Sequence, residues 1–265
     1  MAPDEPNTAA PRVVPLSAGG IRYHAEWRRE PAPGKPVLVF LHDGLGSVET
    51  WRRWPERLCD ALGLGGFAYD RWGYGRSDIC PEFPALFMED AADRLEPVLE
   101  AAGIADAVLV GHSDGGTVAL LHAARYPARV RCVVTMAAHV RRDELTHAQV
   151  LRHQKMVDDG DIPAWMPRFH GERAAHLLAC WARVWQRPMY DAWDISGEIA
   201  AIRAPLLAIQ GATDAYGLPD QLDRIKAAVR HAETVLVPGL GHFPHLEDAE
   251  AMAGLAAGFI ARHLG

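Results

Sequence analysis

Short apolar runs alternate with helix-like segments along most of this chain. The runs begin near residues 35, 66, 106, 130, 204 and 233, and glycine-containing loops follow them. Strands that alternate with helices form a mostly parallel sheet with helices on both faces. The pattern therefore predicts one α/β domain, which begins with an antiparallel hairpin around Gly19 and Gly20.

The alternation stops between residues 141 and 203. This segment is rich in Trp, His and Arg and contains no evident strand. It is longer than an ordinary connection, which indicates an inserted helical unit. We predict a flexible N-terminal tail over residues 1–12, a core over residues 13–140 and 204–265, and a helical cap over residues 141–203.

Composition limits the classes of partner. The chain has 265 residues and a formal net charge of −7, with no basic run that would favour nucleic acid or an anionic membrane. Its four cysteines form no C-x-x-C pair, and its histidines do not cluster at metal-ligand spacing. No apolar stretch reaches the length of a membrane span, and the first residues lack the apolar core of a signal peptide. We expect a cytoplasmic protein with no metal or cofactor that binds a small-molecule substrate, either as a monomer or as a homodimer.

The strongest motif is GHSDG at residues 111–115, which matches the G-x-S-x-G pattern of a nucleophile elbow. It lies between an apolar run and a helix-like segment, where a serine on a sharp turn meets the positive end of a helix dipole. The glycines relieve the clashes that such a turn creates. We predict that Ser113 is a nucleophile.

A serine nucleophile needs a base and a carboxylate that orients the base. His242 follows the last predicted strand and Asp214 follows the strand before it, so a parallel sheet brings both to the edge where Ser113 lies. Asp220, in the following helix, is a weaker candidate for the carboxylate, and His245 is expected to pack or to lie on the surface. The predicted catalytic triad is Ser113, Asp214 and His242.

Two further loops follow predicted strands. In LHDGLGS, residues 41–47, the glycines let backbone N–H groups turn toward a developing negative oxygen. We predict an oxyanion hole formed by the N–H groups of Gly44 and Asp114, with Leu45 as the second choice in the loop. In RWGYGRSD, residues 71–78, the glycines shape a loop near the site, and we expect Arg71, Arg76 and Asp78 to form ion pairs that fix the loop.

The chain resembles the α/β-hydrolase superfamily, in its serine-nucleophile branch with a helical cap. The resemblance runs from about residue 22 to residue 264 and is carried by LHDGLGS, YDRWGYGRSD, VGHSDGG, LLAIQGATD and PGLGHFPHLED, in that order. It implies the α/β-hydrolase fold and a triad in the order Ser113, Asp214, His242. Asp43 departs from the family's usual His-Gly pair and brings a carboxylate near the oxyanion hole.

The substrate-binding residues are predicted from their positions. Aromatic residues in the cap segment can line an apolar or aromatic pocket, although they can equally bind cap to core. Asp114, directly after the nucleophile, resembles the aspartate with which biphenyl-hydrolase-like enzymes bind a substrate ammonium; alternatively it caps local N–H groups. The predicted substrate-binding residues are Asp43, Asp114, His139, Trp165 and Trp185.

The resemblance favours a serine hydrolase that cleaves a small, apolar or aromatic carboxylic ester or amide. Hydrolysis of a C–C bond, as in meta-cleavage-product hydrolases, is an alternative, but those enzymes usually carry Asn where this chain has His112. An amino-acid ester hydrolase, a perhydrolase, an acyltransferase and a non-catalytic ligand receptor also remain open. Epoxide hydrolases and haloalkane dehalogenases of this fold use an aspartate nucleophile, and Ser113 argues against both.

Overall fold

The computed structural model describes residues 10–264. Its strands are β1 (Arg12–Ala18), β2 (Ile21–Arg29), β3 (Val37–Leu41), β4 (Gly65–Tyr69), β5 (Ala107–His112), β6 (Val130–Met136), β7 (Leu206–Gly211) and β8 (Glu233–Val237). They form one sheet in the order β1-β2-β4-β3-β5-β6-β7-β8. β2 pairs antiparallel with both β1 and β4, and every other neighbouring pair is parallel.

Helices cover both faces of the sheet. They are α1 (Trp54–Leu62), α2 (Phe87–Ala101), α3 (Asp114–Arg125), α4 (Glu144–Asp159), α5 (Met166–His170), α6 (Ala174–Trp185), α7 (Ser196–Ile199), α8 (Asp220–Ala228), α9 (Pro244–Glu247) and α10 (Ala249–Leu264). β3 is buried on both sides: Leu38 and Phe40 pack with α1 and α10, whereas Val39 packs with α2 and α3. This two-sided burial explains why the strand is a continuous apolar run.

The β1–β2 hairpin turns where the sequence predicts it. Gly19 and Gly20 have φ angles of 56° and 77°, which favour glycine because it lacks a side chain. Arg12 already belongs to β1, while residues 1–9 of the predicted tail lie outside the described residues.

Residues 141–203 contain helices α4 to α7 and, within the described chain, only a single bridge between Arg141 and Asp194. The buried face of α6 includes Leu177, Trp181 and Trp185, which belong to the same apolar cluster as residues of α2 and α3. The segment therefore shares its core with the α/β domain. No helix in residues 10–264 has both the length and the apolar character needed to cross a membrane.

Candidate active site

The turn between β5 and α3 is tight. Ser113 has φ 53° and ψ −124°, a region that strains a residue with a side chain. A Cβ atom on Gly115 would lie 2.0 Å from the carbonyl oxygen of Leu41, and one on Gly111 would lie 2.3 Å from the carbonyl oxygen of Gly115. Glycine is therefore required on both sides of Ser113 for α3 to begin directly beneath the loop after β3.

The structure brings the predicted triad together at the carboxyl ends of β5, β7 and β8. The Nδ1 atom of His242 lies 2.9 Å from Oδ1 of Asp214, and its Nε2 atom lies 3.0 Å from Oγ of Ser113. Because an ionised carboxylate only accepts hydrogen bonds, Nδ1 carries the proton. The lone pair of Nε2 is then free to accept the proton of the Ser113 hydroxyl.

Asp214 is buried, which by itself raises the pKa of its carboxyl group. The hydrogen bond and charge of His242, together with the 2.8 Å hydrogen bond from the Tyr216 N–H, outweigh burial and hold that pKa below its ordinary value. Asp214 is thus ionised at neutral pH and holds the His242 ring. Asp220, the weaker candidate, begins α8 and pairs with Arg141 at 2.7 Å.

The triad histidine is packed between other rings. The Tyr216 ring stacks on His242 with centroids 4.4 Å apart. The Nε2 atom of His112 lies 2.7 Å from the backbone carbonyl oxygen of His242, so Nε2 donates to it. Burial and, less strongly, the charge of His242 lower the pKa of His112 to about 4, so His112 is neutral at physiological pH. His245 is also buried, 4.6 Å from the His112 ring.

The loop after β3 is anchored by an arginine rather than by an ion pair. The Arg71 guanidinium donates to the carbonyl oxygen of His42 and, over 2.8 Å, to that of Asp43. In the described part of the chain Arg71 forms no ion pair, so that prediction was wrong: the guanidinium is buried against carbonyl groups instead of carboxylates. The other two ion-pair predictions are confirmed, since Arg76 pairs with Glu49 and Asp78 pairs with Arg22.

The two residues predicted to supply the oxyanion donors, Gly44 and Asp114, lie beside one another. A Cβ atom on Gly44 would lie 2.6 Å from Oδ2 of Asp114 and 2.4 Å from Nε1 of Trp181. Within residues 10–264, the backbone N–H groups of Gly44, Leu45 and Asp114 make no hydrogen bond to another protein group. These N–H groups are therefore available to a ligand.

The side chain of Asp114 is hydrogen bonded to the cap segment. It is 2% exposed, and its Oδ2 atom accepts a hydrogen bond from Nε1 of Trp181 on α6 over 2.9 Å. Burial raises the pKa of Asp114, and the charge of Arg71 and the indole hydrogen bond oppose this rise without cancelling it. The carboxylate next to the nucleophile thus joins α6 to the start of α3.

The predicted substrate-binding residues do not all reach the triad. The His139 ring lies 6.0 Å from that of His242, and the Trp185 ring, 1% exposed, lies 6.4 Å from that of His139. Oδ1 of Asp43 lies over its own loop, where a Cβ atom on Gly46 would be 1.9 Å away, and it is 4.0 Å from Nδ1 of His112 at the end of β5. Trp165, in contrast, is 43% exposed and its ring packs beside Phe169, so the structure does not bring it to the triad.

The sequence did not predict the roles of three residues around the site: His112, Arg71 and Trp181. Trp181 had a usable signal, because Leu177, Trp181 and Trp185 follow one another at four-residue spacing and so share a face of α6. The partners of His112 and Arg71 are backbone carbonyl groups, which leave no trace in the sequence. Among residues 10–264 no His, Cys, Asp or Glu side chains are grouped to hold a metal ion.

The chain belongs to the alpha/beta hydrolase family, whose model matches residues 38–255. Among individual proteins, it is similar to mouse bifunctional epoxide hydrolase 2, with 34% identity over 137 residues, which cover 51% of this chain and 23% of that one. It is also similar to mouse epoxide hydrolase 4, with 27% identity over 134 residues covering 50% of this chain and 36% of that one. The chain thus matches well under half the length of these mouse proteins.

A longer match is to the 2-succinyl-6-hydroxy-2,4-cyclohexadiene-1-carboxylate synthase of an Enterobacter species. The two sequences are 25% identical over 260 residues, which cover 86% of this chain and 93% of that one. Among solved structures, the enol-lactonase of Burkholderia xenovorans has a TM-score of 0.74 and 20% identity, covering 93% of this chain and all of that one (100%). At this identity the structural similarity establishes the fold.

Proposed function

We propose that this protein is a serine hydrolase that cleaves a small, apolar or aromatic carboxylic ester through an acyl-enzyme. The observation that carries the proposal is the chain of two hydrogen bonds from Ser113 through His242 to Asp214. A serine hydroxyl becomes an effective nucleophile when a neutral, oriented imidazole can take its proton. The availability of the N–H groups of Gly44 and Asp114 adds the donors that a tetrahedral intermediate requires.

In this reaction Oγ of Ser113 attacks the ester carbonyl while Nε2 of His242 takes its proton. The carbonyl oxygen becomes negative and accepts hydrogen bonds from the N–H groups of Gly44 and Asp114. His242 then gives its proton to the departing alkoxide, which leaves an acyl group on Ser113. A water molecule, deprotonated by the same histidine, releases the carboxylic acid and restores the serine.

The surroundings favour an uncharged, compact substrate. A cavity of about 30 Å³ adjoins Asp114 and is lined mainly by apolar and aromatic side chains, among them Phe83, Phe87 and Val118. That volume is comparable to one or two water molecules. The size and the lining of the cavity support a small, apolar acyl group; it has no room for an aromatic ring, and none of the triad residues lines it.

Asp114 gives an amino-acid ester no advantage over a simple ester. The ammonium group of the amino-acid ester would need the carboxylate of Asp114, but one oxygen of that carboxylate accepts the indole N–H of Trp181 and the side chain is buried. We therefore propose that Asp114 connects the cap segment to the elbow and that esters with and without an α-amino group are hydrolysed at similar rates.

The relatives suggest two other reactions. An epoxide hydrolase of this fold uses an aspartate nucleophile; here Ser113, and not Asp114, is hydrogen bonded to His242. The name of the synthase describes a product with succinyl and carboxylate groups, which are anionic. The carboxylate of Asp43, next to Gly44, would repel such a molecule, so we favour the neutral ester.

The test uses a fluorophosphonate probe and p-nitrophenyl acetate and butyrate with the wild type and Ser113→Ala. We expect the wild type to be labelled and to release p-nitrophenol, and Ser113→Ala to do neither. The p-nitrophenyl ester of an α-amino acid, assayed beside them with Asp114→Asn, tests the role of that carboxylate. Failure of the wild type both to be labelled and to hydrolyse any ester would overturn the proposal in favour of C–C bond hydrolysis or ligand sensing.

A further inference from the structure

One backbone carbonyl group near the nucleophile is held by an unusual number of donors. The oxygen of Asp43 accepts from Nη2 of Arg71 at 2.8 Å, lies 2.9 Å from Nδ1 of His42, and accepts from the N–H of Gly46 at 3.3 Å. The backbone N–H of Arg71 donates to Nε2 of His42 over 3.1 Å, so the proton of the His42 ring is on Nδ1 and that atom is a donor. A carbonyl oxygen has two lone pairs, and this one serves three donors.

The orientation of a carbonyl group fixes the orientation of the next N–H group. In a trans peptide the C=O of one residue and the N–H of the following residue point in opposite directions in one rigid plane. Anchoring the oxygen of Asp43 to Arg71 therefore directs the N–H of Gly44 away from Arg71. The bond from Arg71 to the oxygen of His42 does the same for the N–H of Asp43. Successive N–H groups that point the same way form a site for an anion.

The arginine also polarises this peptide. Its side chain is buried, with the residue 4% exposed, and in the described part of the chain it forms no ion pair. Its charge acts on the two carbonyl groups, on the Tyr74 ring 4.6 Å away and on the carboxyl group of Asp114. Hydrogen bonds that donate to a carbonyl oxygen make the N–H of the same peptide a stronger donor. The effect is largest where water is excluded.

We propose that Arg71 is a positioning residue that holds and polarises the Asp43–Gly44 peptide, so that the N–H of Gly44 stabilises the oxyanion formed when Ser113 attacks. The catalytic role of Arg71 depends on the proposed ester hydrolysis. The orientation of the peptide does not, because it follows from the hydrogen bonds alone. Arg71 acts through the backbone and touches no reacting atom.

A matched control exists in the same region. Arg173 also donates to two carbonyl groups, those of Gly75 and Ser77, but it holds the loop after β4 instead of the loop after β3. Replacing either arginine by Lys keeps the positive charge and removes the ability to bind two carbonyl groups side by side. A loss of activity that is caused by weakened packing alone should appear in both variants. A loss of activity that is caused by a misplaced oxyanion donor should appear only in Arg71→Lys.

The kinetic experiment compares Arg71→Lys with Arg173→Lys on p-nitrophenyl acetate and with a trifluoromethyl ketone, which forms a tetrahedral oxyanion on the serine. We expect Arg71→Lys to lower kcat by about tenfold or more with KM nearly unchanged, because removal of a whole oxyanion donor costs about a hundredfold to a thousandfold. Affinity for the ketone should fall by the same factor. Arg173→Lys should change neither. An equal loss in both variants, or a change in KM alone, would overturn the proposal.

A second readout is independent of turnover. In an NMR experiment, the amide resonance of Gly44 should shift in Arg71→Lys relative to the wild type and to Arg173→Lys, because the donors to the carbonyl oxygen of the same peptide change. An unchanged resonance would overturn the positioning role. If the wild type hydrolyses no ester, the proposed function fails while this readout still decides the role of Arg71. Should Arg71→Lys not fold, His42→Phe removes another donor to the same carbonyl group, and we expect the same changes in kcat and in the Gly44 amide resonance, in smaller size.

Discussion

The indole N–H of Trp181 donates a 2.9 Å hydrogen bond to Oδ2 of Asp114, which joins helix α6 of the cap segment to the residue after the nucleophile. Both side chains are buried, and Gly44 lies against both of them, with no room for a Cβ atom. The contact therefore sets the distance between three parts of the site: the elbow, the loop after β3, and the cap segment.

Replacing Trp181 by Phe should destabilise the protein by about 1–3 kcal/mol, because it leaves a buried carboxylate without its donor. Equilibrium unfolding in urea measures the change. Asp114→Asn is the control, since its amide oxygen still accepts the indole N–H and its smaller effect on stability is expected. The contact would prove unimportant if Trp181→Phe cost no more than Asp114→Asn.

The strained backbone of Ser113 predicts a gain in stability at the expense of activity. Because φ is 53°, a side chain at this position costs on the order of 1–3 kcal/mol, and glycine relieves the cost. Ser113→Gly should be more stable than Ser113→Ala by about 1 kcal/mol once the greater chain entropy of unfolded glycine is included. Both variants lack the hydroxyl group, so the difference between their free energies of unfolding in urea isolates the effect of the backbone conformation. Equal stabilities would mean that the turn carries no strain.

The triad could be predicted from the sequence because its geometry follows from a rule about sheets. Ser113, Asp214 and His242 each come shortly after an apolar run, and parallel strands bring such positions to one edge. The partner of Arg71 could not be predicted in the same way. The sequence shows acidic residues as possible partners, but every residue has a carbonyl group, and which ones face an arginine depends on the path of the loop.

In the cap segment too, composition did not predict which aromatic residues lie near the site. Trp165 and Trp185 both lie in a segment rich in tryptophan, and composition alone does not distinguish them. Position on a helix does distinguish them: Trp185 continues the buried face of α6, whereas Trp165 precedes the short helix α5 and is 43% exposed.

This difference gives a paired prediction. Trp185→Ala should destabilise the protein by about 3–5 kcal/mol, the usual cost of removing a buried aromatic side chain, and should impair ester hydrolysis because the ring packs near His139. Trp165→Ala should change stability by less than about 0.5 kcal/mol, as surface substitutions usually do, and leave kcat/KM close to the wild type. A large kinetic effect of Trp165→Ala would show instead that this side chain reaches the substrate.

The neutral histidine before the nucleophile predicts a loss of stability in mild acid. Burial lowers the pKa of His112 to about 4 in the folded protein, whereas an unfolded histidine titrates near 6.5. Between these values the unfolded chain binds a proton that the folded protein does not. The contribution of His112 to the free energy of unfolding is therefore complete above about pH 6.5 and is lost as the pH drops toward 4. The titratable groups that act on this ring are Asp43, Asp214, His242 and His245. Burial likewise lowers the pKa of His245.

Converted at about 1.4 kcal/mol per pKa unit, the contribution of His112 amounts to about 3 kcal/mol by pH 4. His112→Gln should remove this share of the acid sensitivity, because the amide does not titrate and can still donate to the carbonyl group of His242. Urea unfolding of both proteins at several pH values between about 7 and 4 measures the difference. The wild type should lose stability more steeply than His112→Gln over that range. Parallel curves would mean that His112 takes up its proton as readily in the folded protein as in the unfolded chain, and that its place behind the triad does not depend on its being neutral.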